Sequence, residues 1–351
     1  MPPANRLLQV SRPSFEIDGQ ANDRLAEGLL RLKVIETIDG LYRCEATFGN
    51  WGNDGGRPAY LYIDRQVLDF GKAFTVKLDD TTLFEGRVMA LEAEFPPDRP
   101  PEVTVLAEDR LQDLRMTRRT RTFTDQSDAD VFRQIAGDHG VSPDIDLPGP
   151  THKVLAQVNQ SDLAFLRERA RVLGAELKLE GTTFHVATRP SRGSEPIELN
   201  HGRQLRAFTV LADLAHQRTA MAATGWDVAA KSEIRQEAGD SVLGGELEDG
   251  ESGASLLQSA LGERKDSVVH TMPLTSDEAR HIAESAFRLA ARRFVRGRGV
   301  AEPAAHFRVG STVDLVELGP LFSGKYYVYE LCLRFDGQQG LRTEFSCERP
   351  W

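Results

Sequence analysis

The sequence predicts an α+β chain that is mostly β. Both ends alternate apolar and polar residues over short runs separated by turn residues, the mark of half-buried strands. The middle changes to a helical period, with capping residues before each stretch and glycines after it. The composition agrees: 351 residues with 40% hydrophobic and 27% charged side chains can bury real cores without disulfides. That length corresponds to two or three domains, and the apolar fraction excludes disorder as the main state.

Near its start the chain reads LLRLKVIETI, then Asp39-Gly40, then LYRCEATF. An Asp-Gly pair between alternating runs predicts a hairpin with a type I′ turn. The stretch GNWGNDGGRP that follows is rich in Gly and Asn and predicts a loop. Alternation returns at Phe74, Val76 and Leu78, then from Leu83 to Phe95. It resumes after the break PPDRPP at Val103, Val105 and Ala107. Strands at this spacing predict a small antiparallel barrel within residues 1–115.

The next unit, residues 116–195, reads as an α+β insert. Ser127 and Asp130 form a capping signature ahead of Val131, Phe132, Ile135 and Ala136, and Gly140 stops the helix. Ser161 opens a second helix that carries Leu163, Leu166, Ala170 and Leu173 and ends at Gly174. The segments AELKLE and TTFHVAT around Gly181 make a hairpin, and PSRGSEP from Pro190 is a linker. Residues 196–225 and 305–351 alternate again and predict a second barrel, closing with a turn at Asp336-Gly337. Between them, residues 226–304 hold a Gly-rich acidic loop (239–253) and a helix from Asp277 to Val295. That helix has the stripe Ala279, Ile282, Ala286, Ala290 and Phe294, with alanines that permit close packing.

The charge balance, 43 Lys+Arg against 53 Asp+Glu for a net −10, argues against nucleic acid as the default partner. No run approaches the ~20 apolar residues of a membrane span. The N-terminal segment also lacks the apolar core of a secretory signal. Cys44, Cys332 and Cys347 are too few and too scattered for a metal site or a disulfide framework, so they read as reduced, buried side chains.

Catalytic signatures are missing from the sequence: no phosphate-binding loop, HExxH, GxSxG or EF-hand loop is present, and Gly297-x-Gly299 lacks the third glycine of a dinucleotide site. The eight histidines do not fall at metal spacing, so no metal and no cofactor is expected. Asp138-His139 reads as a surface histidine at a helix C-terminus. Glu246, Glu248, Asp249 and Glu251 read as a solvated loop. Two basic groups remain: Arg115, Arg118, Arg119 and Arg121, and the run from Arg288 to Arg298 that includes Arg292, Arg293 and Arg296. Neither is interleaved with aromatics, as a nucleic-acid platform would be. They are candidates for ion pairs between domains or subunits.

The run FEGRVMALEAEFPPDRPPEVTVLAEDRLQDLR resembles the end of the first barrel in the phage late control protein D family, the VgrG-like tail-hub proteins of contractile phages and injection machines. Gly86, Val88, Asp109, Arg110 and Leu114 carry that likeness. Gln157, Ser161, Asp162, Phe165, Leu166, Ala170 and Gly174 match the family's Q-x-x-x-[ST]-D-x-x-F-L-x-x-x-A-x-x-x-G pattern, and Gly310 and Gly324-Lys325-Tyr326 resemble its last barrel. The likeness runs from about 28 to 349 and is weakest between 225 and 275.

The resemblance implies two tail-tube-like antiparallel β-barrels with an inserted α+β module and a helix-containing segment. It implies a homotrimeric ring that adapts a hexameric inner tube to a trimeric spike, with other baseplate components as further partners and cargo in the lumen. A structural role without enzymatic activity follows, with assembly in the bacterial cytoplasm and then a place in a phage-tail-like particle. The family's hub-spike members continue into an OB-fold and a needle, so the spike and any wall-degrading activity are expected on other polypeptides. Two readings compete with it: a peptidoglycan hydrolase using Glu168 or Glu176, and a DNA channel with a basic lumen.

Overall fold

In the computed structural model, which describes residues 12–189, 195–228, 230–247, 251–269 and 273–351, the alternating segments of both chain ends join into one thirteen-stranded sheet. Its central run, in spatial order, is Leu205–Ala212, Val295–Ala301, Gly340–Arg349, Gly324–Asp336, Leu29–Thr37, Arg43–Gly49, Glu102–Glu108 and Thr81–Glu94. Every neighbouring pair in this run is antiparallel. One face, with Leu32, Val34, Ala46, Val105, Leu331 and Leu333, is buried in a single apolar core that both ends of the chain share. The alternate residues form the opposite face. The fold is α+β and mostly β, as the sequence predicts. No helix among the described residues is long and apolar enough to cross a membrane.

The sheet repeats itself. In each half a first strand (Leu29–Thr37; Leu205–Ala212) and a second (Arg43–Gly49; Val295–Ala301) precede a short strand (Ala73–Leu78; Thr312–Val316). A long strand (Thr81–Glu94; Gly324–Asp336) follows, and a last strand (Glu102–Glu108; Gly340–Arg349) inserts between the long one and the second. The hydrogen bonds fix the correspondence. Gly71 N–H donates to the Val88 carbonyl at 2.8 Å and Val88 N–H to Lys72 at 3.0 Å, while Gly310 donates to Val328 at 2.8 Å and Val328 to Ser311 at 3.0 Å. Register shifts also coincide, at Val88/Ala90 and Val328/Glu330, and at Leu29/Arg31 and Leu205/Ala207. The halves meet edge to edge, with residues 31–37 paired to residues 330–336.

Two smaller bodies are attached. Between the halves, the strands Arg118–Ser127 and Thr151–Ser161, a three-stranded sheet and the helices Asp128–Asp138 and Asp162–Leu173 enclose their own apolar cluster. The Ser127/Asp130 capping box is present and Gly174 sits at φ 65°, so the sequence signals for both helices hold. Within the second half, Ala220–Asp227, Ser232–Ala238 and Lys265–Val268 pack against Gly253–Leu261 and Ser276–Arg292 around a third cluster.

Several expectations change. The two barrels are not separate, because one sheet and one core run through both. Val295–Ala301 belongs to the main sheet rather than the 226–304 insert, and Ala220–Asp227 to the insert sheet rather than the second barrel. Alternation reveals a strand but not which sheet receives it. The Asp39-Gly40 connection is no two-residue turn: Ile35 pairs with Arg43, and positive φ falls on Gly40 and Leu41, not Asp39. GNWGNDGGRP is a hairpin, Trp51–Asp54 with Arg57–Tyr60, turning on Gly55 and Gly56 at φ 59° and 88°. At Asp336-Gly337 the turn is present, with the left-handed residue at Gly340. The stripe of the long helix buries Ala279 and Ile282 together with Ala283, Phe287 and Ala291, whereas Ala286 and Ala290 are half-buried. Most of the Pro190–Pro196 linker, and Glu248, Asp249 and His270, lie outside the described residues.

Glycines explain two sequence features. A Cβ on Gly86 would stand 2.2 Å from the Glu108 carbonyl oxygen of the adjacent strand. On Gly297 and Gly299 it would stand 2.2 Å from the Phe208 ring and 2.4 Å from the Phe345 ring, so Gly297-x-Gly299 makes room for two stacked aromatics. Gly86→Ala is therefore expected to destabilise by about 1–3 kcal/mol in urea unfolding, because a strand must shift. The exposed helical Gly137, with open space around it, is the control: Gly137→Ala should be neutral or stabilising by up to ~1 kcal/mol.

Candidate assembly interface

The arginines singled out in the sequence divide into two sets. Arg121 is half-buried and bonds Gln157, Asp138 and Asp162 at 2.8, 2.9 and 2.8 Å, with its guanidinium 4.9 Å from the Phe123 ring. Arg119 reaches Asp162 at 3.2 Å, Arg115 pairs with Glu108, and Arg118 donates to the Asn159 carbonyl at 3.0 Å. Arg292 is 2% exposed and grips Glu246 with two bonds of 2.6 and 2.7 Å. Arg121 and Arg292 thus hold the chain's own inserts together through internal ion pairs. Glu246 is correspondingly no solvated loop residue. Arg293 and Arg296 are exposed, with no carboxylate partner among the described residues.

His139 likewise turns inward. Its Nε2 lies 2.8 Å from Asp162, a buried carboxylate that also receives Gln157 at 2.8 Å. Burial raises the Asp162 pKa, but His139, Gln157 and the two arginines outweigh it, so the pKa falls. Gln157 and Asp162 of the sequence pattern therefore build the polar centre of the first insert, and Phe165, Leu166 and Ala170 its core. Asp109 has a parallel task. It is buried and accepts from the backbone of Tyr42 at 2.8 Å and of Leu111 at 2.9 Å, and burial pushes its pKa up to about 6.

Three charged clusters join the parts. Glu36, fully buried in the first half, holds Arg308 of the second and accepts from Val309 N–H at 3.1 Å. Arg189 of the first insert bonds Glu176 at 3.1 Å and Glu348 of the last strand at 2.9 Å, and stacks 3.9 Å over the Tyr327 ring. His152 connects the inserts, with Nε2 2.9 Å from Asp128 and Nδ1 3.3 Å from Glu278. Arg169 also bonds Asp128, at 2.6 and 2.9 Å.

With a carboxylate at each ring nitrogen, His152 is held as imidazolium. The Asp128 and then the Glu278 hydrogen bond push its pKa up to about 9, against burial and the nearby Arg169. Its folded pKa lies above the unfolded value of about 6.5. The stabilisation is therefore complete below that value and is lost as pH rises through 9. Unfolding free energies of the wild type and His152→Gln should differ by on the order of 2–3 kcal/mol at pH 6 and converge near pH 10.

Three surface features remain. The outward face of the main sheet forms an open trough of about 660 Å³ lined by Lys33, Arg298, Glu330, Arg334 and Glu344. Lys33 pairs with Glu45 at 2.9 Å and Arg334 with Glu344 at 3.3 Å, so the trough carries both signs of charge. Trp51, Tyr60 and Phe95 make an exposed edge-to-face group with ring separations of 5.2 and 5.7 Å. The strand Leu205–Ala212 ends the sheet, with no strand on its outer side among the described residues.

The carboxylates considered for hydrolysis do not converge. Glu168 is exposed and accepts from Gln160 at 2.6 Å, while Glu176 is buried against Arg189 and Tyr327. Among the described residues no group of three or more metal-ligating side chains comes together.

A family model described as the Alg8 N-terminal domain matches residues 72–334. No curated protein matches the chain in sequence. Among solved structures, the 43 kDa tail protein of prophage MuSo2 from Shewanella oneidensis is similar, with a TM-score of 0.71, 12% identity, and coverage of 97% of this chain and 98% of that one. The tail protein from Neisseria meningitidis MC58 gives 0.69 and 12%, covering 96% of each. An Escherichia coli component of the type VI secretion system gives 0.58 and 10%, covering 96% and 76%. The fold is thus that of phage tail proteins and type VI secretion relatives, the group to which the tail-hub resemblance points.

Proposed function

The chain belongs to the Alg8 N-terminal domain family, and from its doubled sheet and its likeness in fold to phage tail proteins we propose that it is the baseplate hub of a contractile phage-tail-like injection machine. In this reading three copies form a ring that adapts a hexameric inner tube to a trimeric spike. The doubled sheet carries the proposal. Each copy presents two units of the same strand order, joined edge to edge, so three copies present six to the tube while keeping three-fold symmetry for the spike.

The trough, lined by strand residues and mixed in charge, suits a lumen lining, because neither sign dominates to grip a passing polyanion. The role is structural: the buried charged groups are spent on joining halves and inserts. Co-expression with the tube and spike proteins of a machine of this kind from the same source should give a complex containing both. Failure to bind either one, or a zymogram clearing by the purified chain, would overturn the proposal.

A further inference from the structure

We infer that copies of this chain join head to tail by pairing the free edge of Leu205–Ala212 in one copy with the uncovered outer half of Thr81–Glu94 in the next. The register is the one the chain already uses at its own centre. The inference deepens the hub reading and rests on it for the number of copies.

The internal repeat supplies the geometry. In the second half, the long strand is covered at its start by Thr312–Val316 and at its end by residues 31–37 of the first half. In the first half, the equivalent strand is covered at its start by Ala73–Leu78, which stops opposite Arg87. Beyond Val88 its outer side has no partner strand among the described residues. At the far end of the sheet, Leu205–Ala212 is the equivalent of Leu29–Thr37 and, among the described residues, lacks the strand that Leu29–Thr37 receives. Each copy thus has one uncovered tongue and one uncovered edge, each shaped like half of a joint that exists within the chain. Unpaired backbone groups on an edge strand are a template for another strand.

The matching register shifts fix which residues meet. Because Val88 corresponds to Val328 and Leu29 to Leu205, the observed pairs Cys332 with Ile35 and Leu333 with Val34 translate to Glu92 with Leu211 and Ala93 with Val210. Continuing the same register sets Phe95 opposite Phe208. Leu211 and Phe95, 58% and 56% exposed, would be covered. Charge agrees: Glu92 and Arg296 have no ion-pair partner among the described residues, and in the joined sheet Leu211 alone separates them, since Leu211 already pairs with Arg296. Two residues along the same face the signs are reversed relative to the joint within the chain: Glu94 and Arg298 would flank Thr209 where Arg334 and Glu45 flank Lys33. The two joints therefore discriminate against one another.

Glu92→Cys with Leu211→Cys, in a full chain carrying Cys332→Ser, tests the register. Directly opposed strand positions satisfy disulfide geometry, and the two sites lie at opposite ends of the central strand run, so a link must join different copies. Mild oxidation should give covalent dimers and trimers that a reductant dissolves, whereas Glu92→Cys with Ala207→Cys should give at least tenfold less. If the protein keeps a trimer mass but links equally in both variants, or in neither, the inferred joint is wrong and the hub reading stands. A single-chain mass throughout would overturn both.

Discussion

Replacing Arg308 by alanine is expected to destabilise the chain by about 3–5 kcal/mol, enough to unfold many domains of this size. Glu36 is fully buried where the two halves of the sheet meet, and it is held by the Arg308 guanidinium and Val309 N–H. Without the arginine its charge has one backbone donor left. Urea unfolding would measure the loss, and Arg308→Ala combined with Glu36→Gln should be less destabilised than Arg308→Ala alone, because the stranded charge is gone. Equal stability of the wild type and Arg308→Ala would mean that this pair does not hold the seam.

Arg189→Ala is expected to have a comparable effect, about 3–5 kcal/mol, through a different joint. The change leaves Glu176 and Glu348 facing each other without the cation between them, and it removes the stacking on Tyr327. The damage should be local at first: hydrogen exchange in residues 118–188 should rise before it rises in residues 29–49, whose strands lie at the middle of the main sheet. Uniform acceleration across both segments would instead place Arg189 in the folding unit of the sheet.

The fold class and the first insert were legible from the sequence because their signals are local. Ser127 with Asp130, and Ser161 with Gly174, cap helices through bonds that span three or four residues. The repeat was not legible, since it resides in hydrogen bonds and register shifts that different side chains satisfy: Gly86 corresponds to Tyr326, and Lys33 to Thr209. Arginine clusters were visible but their partners were not. Arg292 finds Glu246 and Arg121 finds Asp162 only when distant segments pack, so exposed and internal arginines look alike in one dimension. The Gly55-Gly56 hairpin did carry a signal, because two adjacent glycines at positive φ are the type I′ pattern, but the glycine density around it also fits a loop.

The assembly is the central claim, and the solution mass of the intact chain tests it most directly. Light scattering on the size-exclusion peak should return three times the 38.9 kDa chain mass, and the value should hold on dilution into the micromolar range. A mass of one chain at every concentration tested would contradict a ring-forming hub.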